Sequence, residues 1–283
     1  VYSVFSKHKN IKFIYIDQNN NVTNIINKES HKMHIDVDTK FRLNGNELNH
    51  YKDFGSYTEE DFNILKTIKE IRKFNYEAFS KLTNPLEKSQ QYMLNQNTGE
   101  FHLDNGSNIS WNWLKKTVQI SLFNKTGENK VFILTSPNVA SIVFHSRWFE
   151  LMIASYIAQN PDTQHVWMNC EFFSKSKDII GNRTKNEIDI IAEMDTRLLF
   201  IECKTKISKI NDIDKFKSAV SNYGGLGSKC IFVTYFLPSE IAKEKCNDYS
   251  IPLFCIDYNL PDETKKNEFN KFVNKHLTTI NRK

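Results

Sequence analysis

The fold is decided by residues 186–206, which read NEIDIIAEM at 186–194, DTR at 195–197 and LLFIECKTK at 198–206. Two short apolar runs flank a polar break, and this pattern predicts a β-hairpin whose strands are covered on both faces. Each run also carries charge where a buried strand should be apolar. Burial of Asp189, Glu202 and Lys204 costs free energy unless each side chain finds a partner.

The register of this hairpin decides whether its charges meet. A two-residue turn at 195–196 sets Asp189 opposite Glu202, where Cβ atoms lie about 4.5–5.5 Å apart and two carboxylates repel each other. A divalent cation between them would replace that repulsion by coordination. Because side chains alternate along a strand, Lys204 falls on the same side as Glu202. A three-residue loop would shift the register by one and turn Asp189 to the other face.

A third carboxylate is Glu150, in a helix predicted at 147–160. It is the only charged residue between Trp148 and Ala158. Its neighbours three, four and seven residues further along are apolar, so it lies on an apolar stripe. The alternative interpretation is a glutamate near a helix N-terminus that is stabilised by the helix dipole and partly solvated.

An Asp followed thirteen residues later by Glu-X-Lys at the end of an apolar strand resembles the metal site of the PD-(D/E)XK nuclease superfamily. Folds of that superfamily place a helical Glu beside the two strand acids. The resemblance implies a site for Mg²⁺ or Mn²⁺ at Glu150, Asp189 and Glu202, and these ions prefer such oxygen ligands. It also implies that the carbonyl of Cys203 adds a ligand. Lys204 would orient the attacking water or stabilise the transition state.

Four segments together resemble the nuclease half of the CRISPR ancillary effectors that join a CARF sensor to a PD-(D/E)XK domain: RWFE at 147–150, NEID at 186–189, LFIECKT at 199–205 and YGGLGSK at 223–229. The match covers about 141–256. It implies a homodimer that cleaves single-stranded RNA or DNA, or nicks duplex DNA, when cyclic tetra-adenylate binds the sensor. Three positions depart from the family pattern: Ile188 stands where proline is typical, and Ser146 and Arg147 stand where glycines are usual.

The predicted organisation is an α/β chain in three parts. The two short strands in residues 1–40 need further strands for stability, and the resemblance implies that these residues are the tail of a Rossmann-like CARF sensor. Residues 41–136 are expected to form a small helical and mixed linker region, and residues 137–283 the PD-(D/E)XK, restriction-endonuclease-like domain. The chain begins in mid-pattern at Val1, which predicts sequence upstream, so no activator-binding residues are assigned.

The order of elements supports this organisation. After residue 137 the pattern predicts helix, strand, hairpin, helix, strand, helix, strand, helix, which is typical of an α/β domain. In the linker region a helix is predicted from Thr58 to about Leu82, and residues 43–57 are interpreted as a polar connection. Trp111 and Trp113 either stack on bases or form the core of that region.

Composition limits the class of protein. The 283 residues are 40% hydrophobic and 13% aromatic, and the formal net charge of +5 suits a polyanionic partner. The five cysteines have no C-x-x-C spacing, which argues against a zinc finger or a disulfide framework. No signal peptide or long apolar span is visible, so we expect a soluble, cytoplasmic protein without a membrane partner.

Basic residues flank the predicted site and suit a phosphate backbone, although charged loops are usually only solvated. They are Lys175, Lys177, Arg183 and Lys185 before the hairpin, and Lys206 and Lys209 after it. Glu187 is interpreted either as a group behind the metal ligands or as a solvated residue at the start of a strand.

Two other functions remain open. A restriction or repair enzyme of the same fold would cut duplex DNA without a nucleotide activator. A non-catalytic module that binds nucleic acid or protein would have the same fold but no hydrolytic activity.

Overall fold

The computed structural model describes residues 14–16, 21–24, 30–32, 36–43, 45–84, 95–173, 184–194, 197–225 and 227–278. The strands are β1 (Ile14–Ile16), β2 (Asn21–Asn24), β3 (Ser30–Lys32), β4 (Leu48–Asp53), β5 (Thr98–His102), β6 (Asn108–Asn112), β7 (Thr117–Phe123), β8 (Asn129–Thr135), β9 (Thr163–Phe173), β10 (Thr184–Met194), β11 (Arg197–Lys204), β12 (Lys229–Thr234) and β13 (Leu253–Cys255). The helices are α1 (Val37–Leu43), α2 (Glu59–Thr83), α3 (Val139–Val143), α4 (Arg147–Ala158), α5 (Asn211–Tyr223), α6 (Glu240–Asp248) and α7 (Asp262–Thr278). This mixture confirms the predicted α/β class.

A six-stranded sheet carries the predicted hairpin. Its order is β13-β12-β11-β10-β9-β4. Strand β10 is antiparallel to β9 and β11, whereas β11, β12 and β13 run parallel. Met194 lies opposite Arg197 and Ile190 lies opposite Ile201, which confirms the predicted two-residue register.

Helices cover both faces of this sheet, as the apolar character of the two hairpin strands predicts. On one face Ala192 and Ile201 join a cluster with Ile153 of α4. On the other face Phe200 joins a cluster with Phe216 of α5. The hairpin is therefore the middle layer of three.

The segment interpreted as a polar connection, residues 43–57, contains a strand instead. Strand β4 pairs antiparallel with β9 and forms one edge of the six-stranded sheet. Its residues are half-buried or exposed, and its pairing is irregular in two places. An edge strand tolerates such polar residues because one side of it faces solvent, and for this reason the apolar alternation that marks a strand is missing from the sequence.

The linker region contains a second sheet and a long helix. Strands β5, β6, β7 and β8 form an antiparallel meander in that order. Helix α2 begins after Thr58, whose backbone N–H donates to Asp61 at 2.8 Å, and it ends one residue beyond the predicted Leu82. Trp111 is buried and belongs to the same cluster as residues of α4, so the structure favours a core role for it.

Residues at the start of the chain form a small sheet in the order β1-β2-β3. Helix α1 packs on the six-stranded sheet through Phe41, whose ring centre lies 4.9 Å from that of Phe172. The division into 1–40, 41–136 and 137–283 stays a prediction. Within the described residues, no helix combines the length and the apolar character that crossing a membrane requires.

Candidate active site

The hairpin brings two of the predicted acids to one lysine. The Nζ atom of Lys204 lies 2.6 Å from Oε1 of Glu202 and 3.5 Å from Oδ2 of Asp189. Asp189 also accepts a hydrogen bond of 2.7 Å from the backbone N–H of Cys203. Asp189 and Glu202 are only 7% and 8% exposed. The structure thus places a buried carboxylate pair around a single ammonium group.

Asp189 reaches this position through a break in strand alternation. Ile188 belongs to the same apolar cluster as Ile191, whereas Ile190 belongs to the cluster on the opposite face. Strand β9 breaks its alternation at the corresponding place, between Met168 and Cys170. The residue between them is Asn169, whose φ of 51° is in the left-handed region.

This irregularity changes the face of the sheet to which the side chains point. Because Ile188 pairs with Cys170 and Ile190 pairs with Met168, Asn169 stands opposite Asp189 in the sheet. Left-handed backbone within a strand turns the following side chains to the other face, and asparagine adopts that conformation at lower cost than most residues. Sequence reasoning missed Asn169. The sequence feature that could have identified it is an asparagine inside an apolar run, since asparagine is disfavoured in β-strands.

Glu150 joins the site from helix α4. Its side chain is buried, with 8% exposure, which excludes the interpretation of a partly solvated helix-start glutamate. The Nδ2 atom of Asn169 donates to Oε2 of Glu150 over 3.4 Å. Asn169 therefore links the helical acid to the strand position opposite Asp189.

The charges of these groups are strongly coupled. Burial raises the pKa of Glu150 well above its usual value, and repulsion by Asp189 raises it further. The same two causes, in the same order, raise the pKa of Glu202 to about 8. Burial alone would lower the pKa of Lys204, but Asp189 and Glu202 outweigh burial and raise it above its usual value. Near neutral pH the site therefore keeps its ammonium charged and holds protons on carboxyl groups.

A pocket of about 340 Å³ opens beside the acids, between the sheet and helix α5. It is lined by Glu187, Glu202, Lys204, Asp212, Lys215, Phe216 and Ala219. On its rim, Nη2 of Arg147 lies 3.6 Å from Oε1 of Glu187, and both side chains are partly exposed. Glu187 is thus held by an arginine that sequence reasoning did not assign to the site.

The chemistry of this donor set suits a divalent cation. Burial, and then repulsion by Asp189, raises the pKa of Glu150 and of Glu202, and a cation would stabilise both carboxyl groups in the ionised form. Their arrangement suits it less well, since no three His, Cys, Asp or Glu side chains in the described part of the chain lie close enough together to hold a metal ion. The Lys204 ammonium pairs with Glu202 instead. The Cys203 thiol is buried, and the role of its carbonyl as a ligand stays a prediction.

The basic residues predicted around the site are only partly described. Lys175, Lys177 and Arg183, and the side chain of Lys185, lie outside the described residues. Lys206 and Lys209 are exposed in the segment between β11 and α5. Their contact with a phosphate backbone stays a prediction.

Comparison with known proteins finds similarity in structure alone. No protein-family model and no curated protein matches this chain. The structure of Can2 from Sulfobacillus thermosulfidooxidans in complex with cyclic tetra-adenylate is similar at a TM-score of 0.50 and 18% identity, over 98% of this chain and 71% of Can2. The crystal structure of protein VC1899 from Vibrio cholerae is similar at a TM-score of 0.56 and 13% identity, over 97% of this chain and 70% of VC1899. At these identities the likeness shows a shared fold.

Proposed function

We propose that this chain is a metal-dependent endonuclease that hydrolyses phosphodiester bonds of single-stranded RNA or DNA, or nicks duplex DNA. The observation that carries the proposal is the Lys204 ammonium between two buried strand carboxylates, with buried Glu150 joined to the same place through Asn169. Burial of a cluster of acids costs folding free energy, and proteins keep such groups mainly at catalytic sites. The PD-(D/E)XK resemblance supplies the reaction class.

Mg²⁺ or Mn²⁺ would be held by Asp189 and Glu202, with Glu150 and the Cys203 carbonyl as further ligands. When bound, such an ion activates a water and offsets charge on the phosphorus. These side chains must be ionised to hold the ion, so Glu202, whose pKa is raised to about 8, would lose its proton when the ion is loaded.

The neighbouring carboxylates determine which catalytic role Lys204 can have. Since its pKa is raised by Asp189 and Glu202, it stays protonated near neutral pH and does not act as a general base. An ammonium at this place acts as a point charge on a phosphate oxygen and stabilises the negative transition state. Asn169 and the backbone N–H of Cys203 hold Glu150 and Asp189 and so act as positioning groups.

We further propose that cyclic tetra-adenylate regulates this nuclease activity and that the chain acts in type III CRISPR antiviral defence. This part of the proposal rests on the resemblance to CARF-linked nucleases and on the shared fold with Can2, which was solved with that nucleotide. In this proposal the chain acts in the cytoplasm as a homodimer. Residues 1–40 would be the end of the sensor.

The test is cleavage of labelled single-stranded RNA, single-stranded DNA and supercoiled plasmid. Each is incubated with Mn²⁺ or EDTA, and with or without cyclic tetra-adenylate. We expect cleavage with Mn²⁺ that EDTA and Glu202→Ala abolish and the cyclic nucleotide increases. Cleavage that survives both EDTA and Glu202→Ala would overturn the metal mechanism. Cleavage that is unchanged by the nucleotide would overturn only the regulatory part.

A second candidate is a non-catalytic module of the same fold. It is favoured by one observation, that no three potential ligands converge among the residues whose positions are described. Absence of cleavage under every condition, together with binding of the same oligonucleotides, would favour this candidate.

A further inference from the structure

A large groove lies on the far side of helix α4 from the acids. It has a volume of about 1230 Å³, and helix α2, helix α4 and residues 258–265 line it. Trp148 of α4 faces this groove, whereas Glu150, two residues further along, contacts Asn169. Two residues advance a helix by about 200°, so the two side chains lie on opposite faces. The groove is thus separate from the carboxylate site.

Aromatic side chains form the floor and one wall of the groove. The ring of Tyr76 lies 4.9 Å from that of Phe236, and the ring of Tyr235 lies nearly parallel to that of Tyr258 at 5.8 Å. Tyr258 is 52% exposed, so part of its ring is open to a ligand. An open aromatic face supported by a second ring is a platform on which a nucleic-acid base can stack.

Arg72 adds a cation to this floor, where its guanidinium hydrogen-bonds to Tyr235. Its guanidinium lies 3.7 Å from the ring centre of Tyr235 and 4.0 Å from that of Trp148. Its Nε atom is buried and has no hydrogen-bond partner among the described residues. The residue as a whole is only half-buried and lines the groove, so its positive charge attracts a phosphate oxygen of a ligand.

The net positive charge of the side chains that line the groove favours an anionic ligand. Among the described residues that line it, five are cations, Lys66, Lys69, Arg72, Lys73 and Lys265, and one, Asp262, is a carboxylate. That carboxylate pairs with Lys69 at 2.8 Å and with Lys265 at 3.3 Å. Lys66 and Lys73 are exposed along α2 and stay available to phosphates.

We propose that this groove binds a single strand of nucleic acid, with bases stacked on the aromatic floor and phosphates on the α2 lysines. A single strand fits better than a duplex, because paired bases do not offer their faces for stacking. The volume exceeds the range of about 300–1,000 Å³ typical of small-molecule pockets, which favours several nucleotides over one. The proposal extends the function proposed above, since the bound strand would be the substrate, but it concerns binding and not cleavage.

The test is fluorescence anisotropy of labelled 20-nucleotide poly(dT) and poly(U) in EDTA, with the whole chain and with no metal present. Lys66→Ala/Lys73→Ala should weaken binding about tenfold or more. It should also reduce the slope of log affinity against log salt by about 1.4, because each lost phosphate contact removes about 0.7 on a single strand. Tyr258→Ala should weaken binding about 5-fold or more.

The matched control is Lys115→Ala/Lys125→Ala, which removes two exposed lysines that do not line the groove and should bind like the unaltered chain. Equal loss in the two double variants, a salt slope unchanged by Lys66→Ala/Lys73→Ala, equal affinity for a duplex of the same length, or no binding by the unaltered chain would each overturn the proposal. Glu202→Gln separates the two proposals: it should lower cleavage by about 10²-fold or more and leave anisotropy unchanged, so failure of the nuclease proposal does not alter the binding result.

Discussion

The two faces of helix α4 differ in charge and in chemistry. One face carries Glu150 into a buried acidic site, and the other carries Trp148 into a groove where cations outnumber acids. Near neutral pH the Lys204 ammonium and the protons held on carboxyl groups leave the first face with little net charge, so a polyanion is attracted mainly to the second. Binding of a strand and its hydrolysis should therefore be separable by mutation.

The largest expected effect is on the acidic face. Glu202→Gln keeps the shape of the side chain and an oxygen acceptor for Lys204, but it removes the ionisable carboxyl group. We expect cleavage in Mn²⁺ to fall by about 10²-fold or more, as when an active site loses one electrostatic contact to the transition state. Strand affinity should stay within about twofold, since binding depends on the other face. Single-turnover cleavage with anisotropy in parallel measures both.

Glu187→Gln is the control for that variant. Its side chain lies on the rim and pairs with Arg147, so cleavage should change by less than about threefold. A loss as large as that of Glu202→Gln would mean that any acid lost from this region disrupts the site.

A smaller effect is expected on the cationic face. Lys66→Ala/Lys73→Ala should raise KM for a single-stranded substrate about tenfold and leave kcat unchanged, because it removes binding that is equal in ground state and transition state. Steady-state cleavage over a range of substrate concentrations measures the split. A fall in kcat with unchanged KM would assign these lysines to the chemical step and would remove the distinction between the two faces.

The pH dependence of stability tests the electrostatics of the acidic face. The pKa of Glu202 is raised from 4.5 to about 8 in the folded chain, so between these values the folded state binds a proton that the unfolded state has released. Stability contributed by this group is therefore lost as pH rises through that window. Glu202→Gln does not titrate, so its Tm in EDTA should exceed that of the unaltered chain by a margin that grows from pH 5 to pH 8.

At pH 8 the margin should reach about 2 °C or more, which corresponds to roughly 1 kcal/mol in a domain of 150–250 residues. Differential scanning fluorimetry of both chains at matched pH gives the result. A margin that is constant with pH, or that shrinks towards pH 8, would contradict the raised pKa.

The smallest effect is expected where α4 begins. His145 and Ser146, just before the helix, both have left-handed φ values, of 59° and 62°. Glycine adopts this conformation without steric cost, so Ser146→Gly should raise the free energy of unfolding by up to about 1 kcal/mol. Ser155→Gly, inside the same helix, should lower it by about 0.5 kcal/mol. Urea denaturation compares them, and destabilisation by both would mean that Ser146 makes contacts worth more than its strain.

Local patterns in the sequence were sufficient for the hairpin and for the helix ends. The two-residue spacing between the apolar runs was sufficient for the register of β10 and β11, and α2 begins after Thr58 and ends one residue beyond the predicted Leu82. Glu150 was found because it interrupts an apolar stripe. In each case the signal lies within about a dozen residues of the feature.

Features that depend on distant partners could not be predicted. The change of alternation at Asp189 is produced with Asn169, a residue on the neighbouring strand. Strand β4 is recognised only by its pairing with β9. The cationic groove forms because Arg72 of the linker region packs against Trp148 and Tyr235, which come from two other segments. Sequence spacing carries no information on such contacts.

Both the proposed mechanism and the expected effect of Glu202→Gln require that the buried acids bind a divalent cation. Titration of Mn²⁺ into the whole chain at pH 8, followed by the electron paramagnetic resonance signal of the free ion, tests it without any substrate. Asp189→Asn keeps an acceptor for the Cys203 N–H and loses the charge. We predict that the unaltered chain and Glu187→Gln remove free Mn²⁺ from solution and that Asp189→Asn does not. Equal binding by Asp189→Asn and the unaltered chain would contradict the claim.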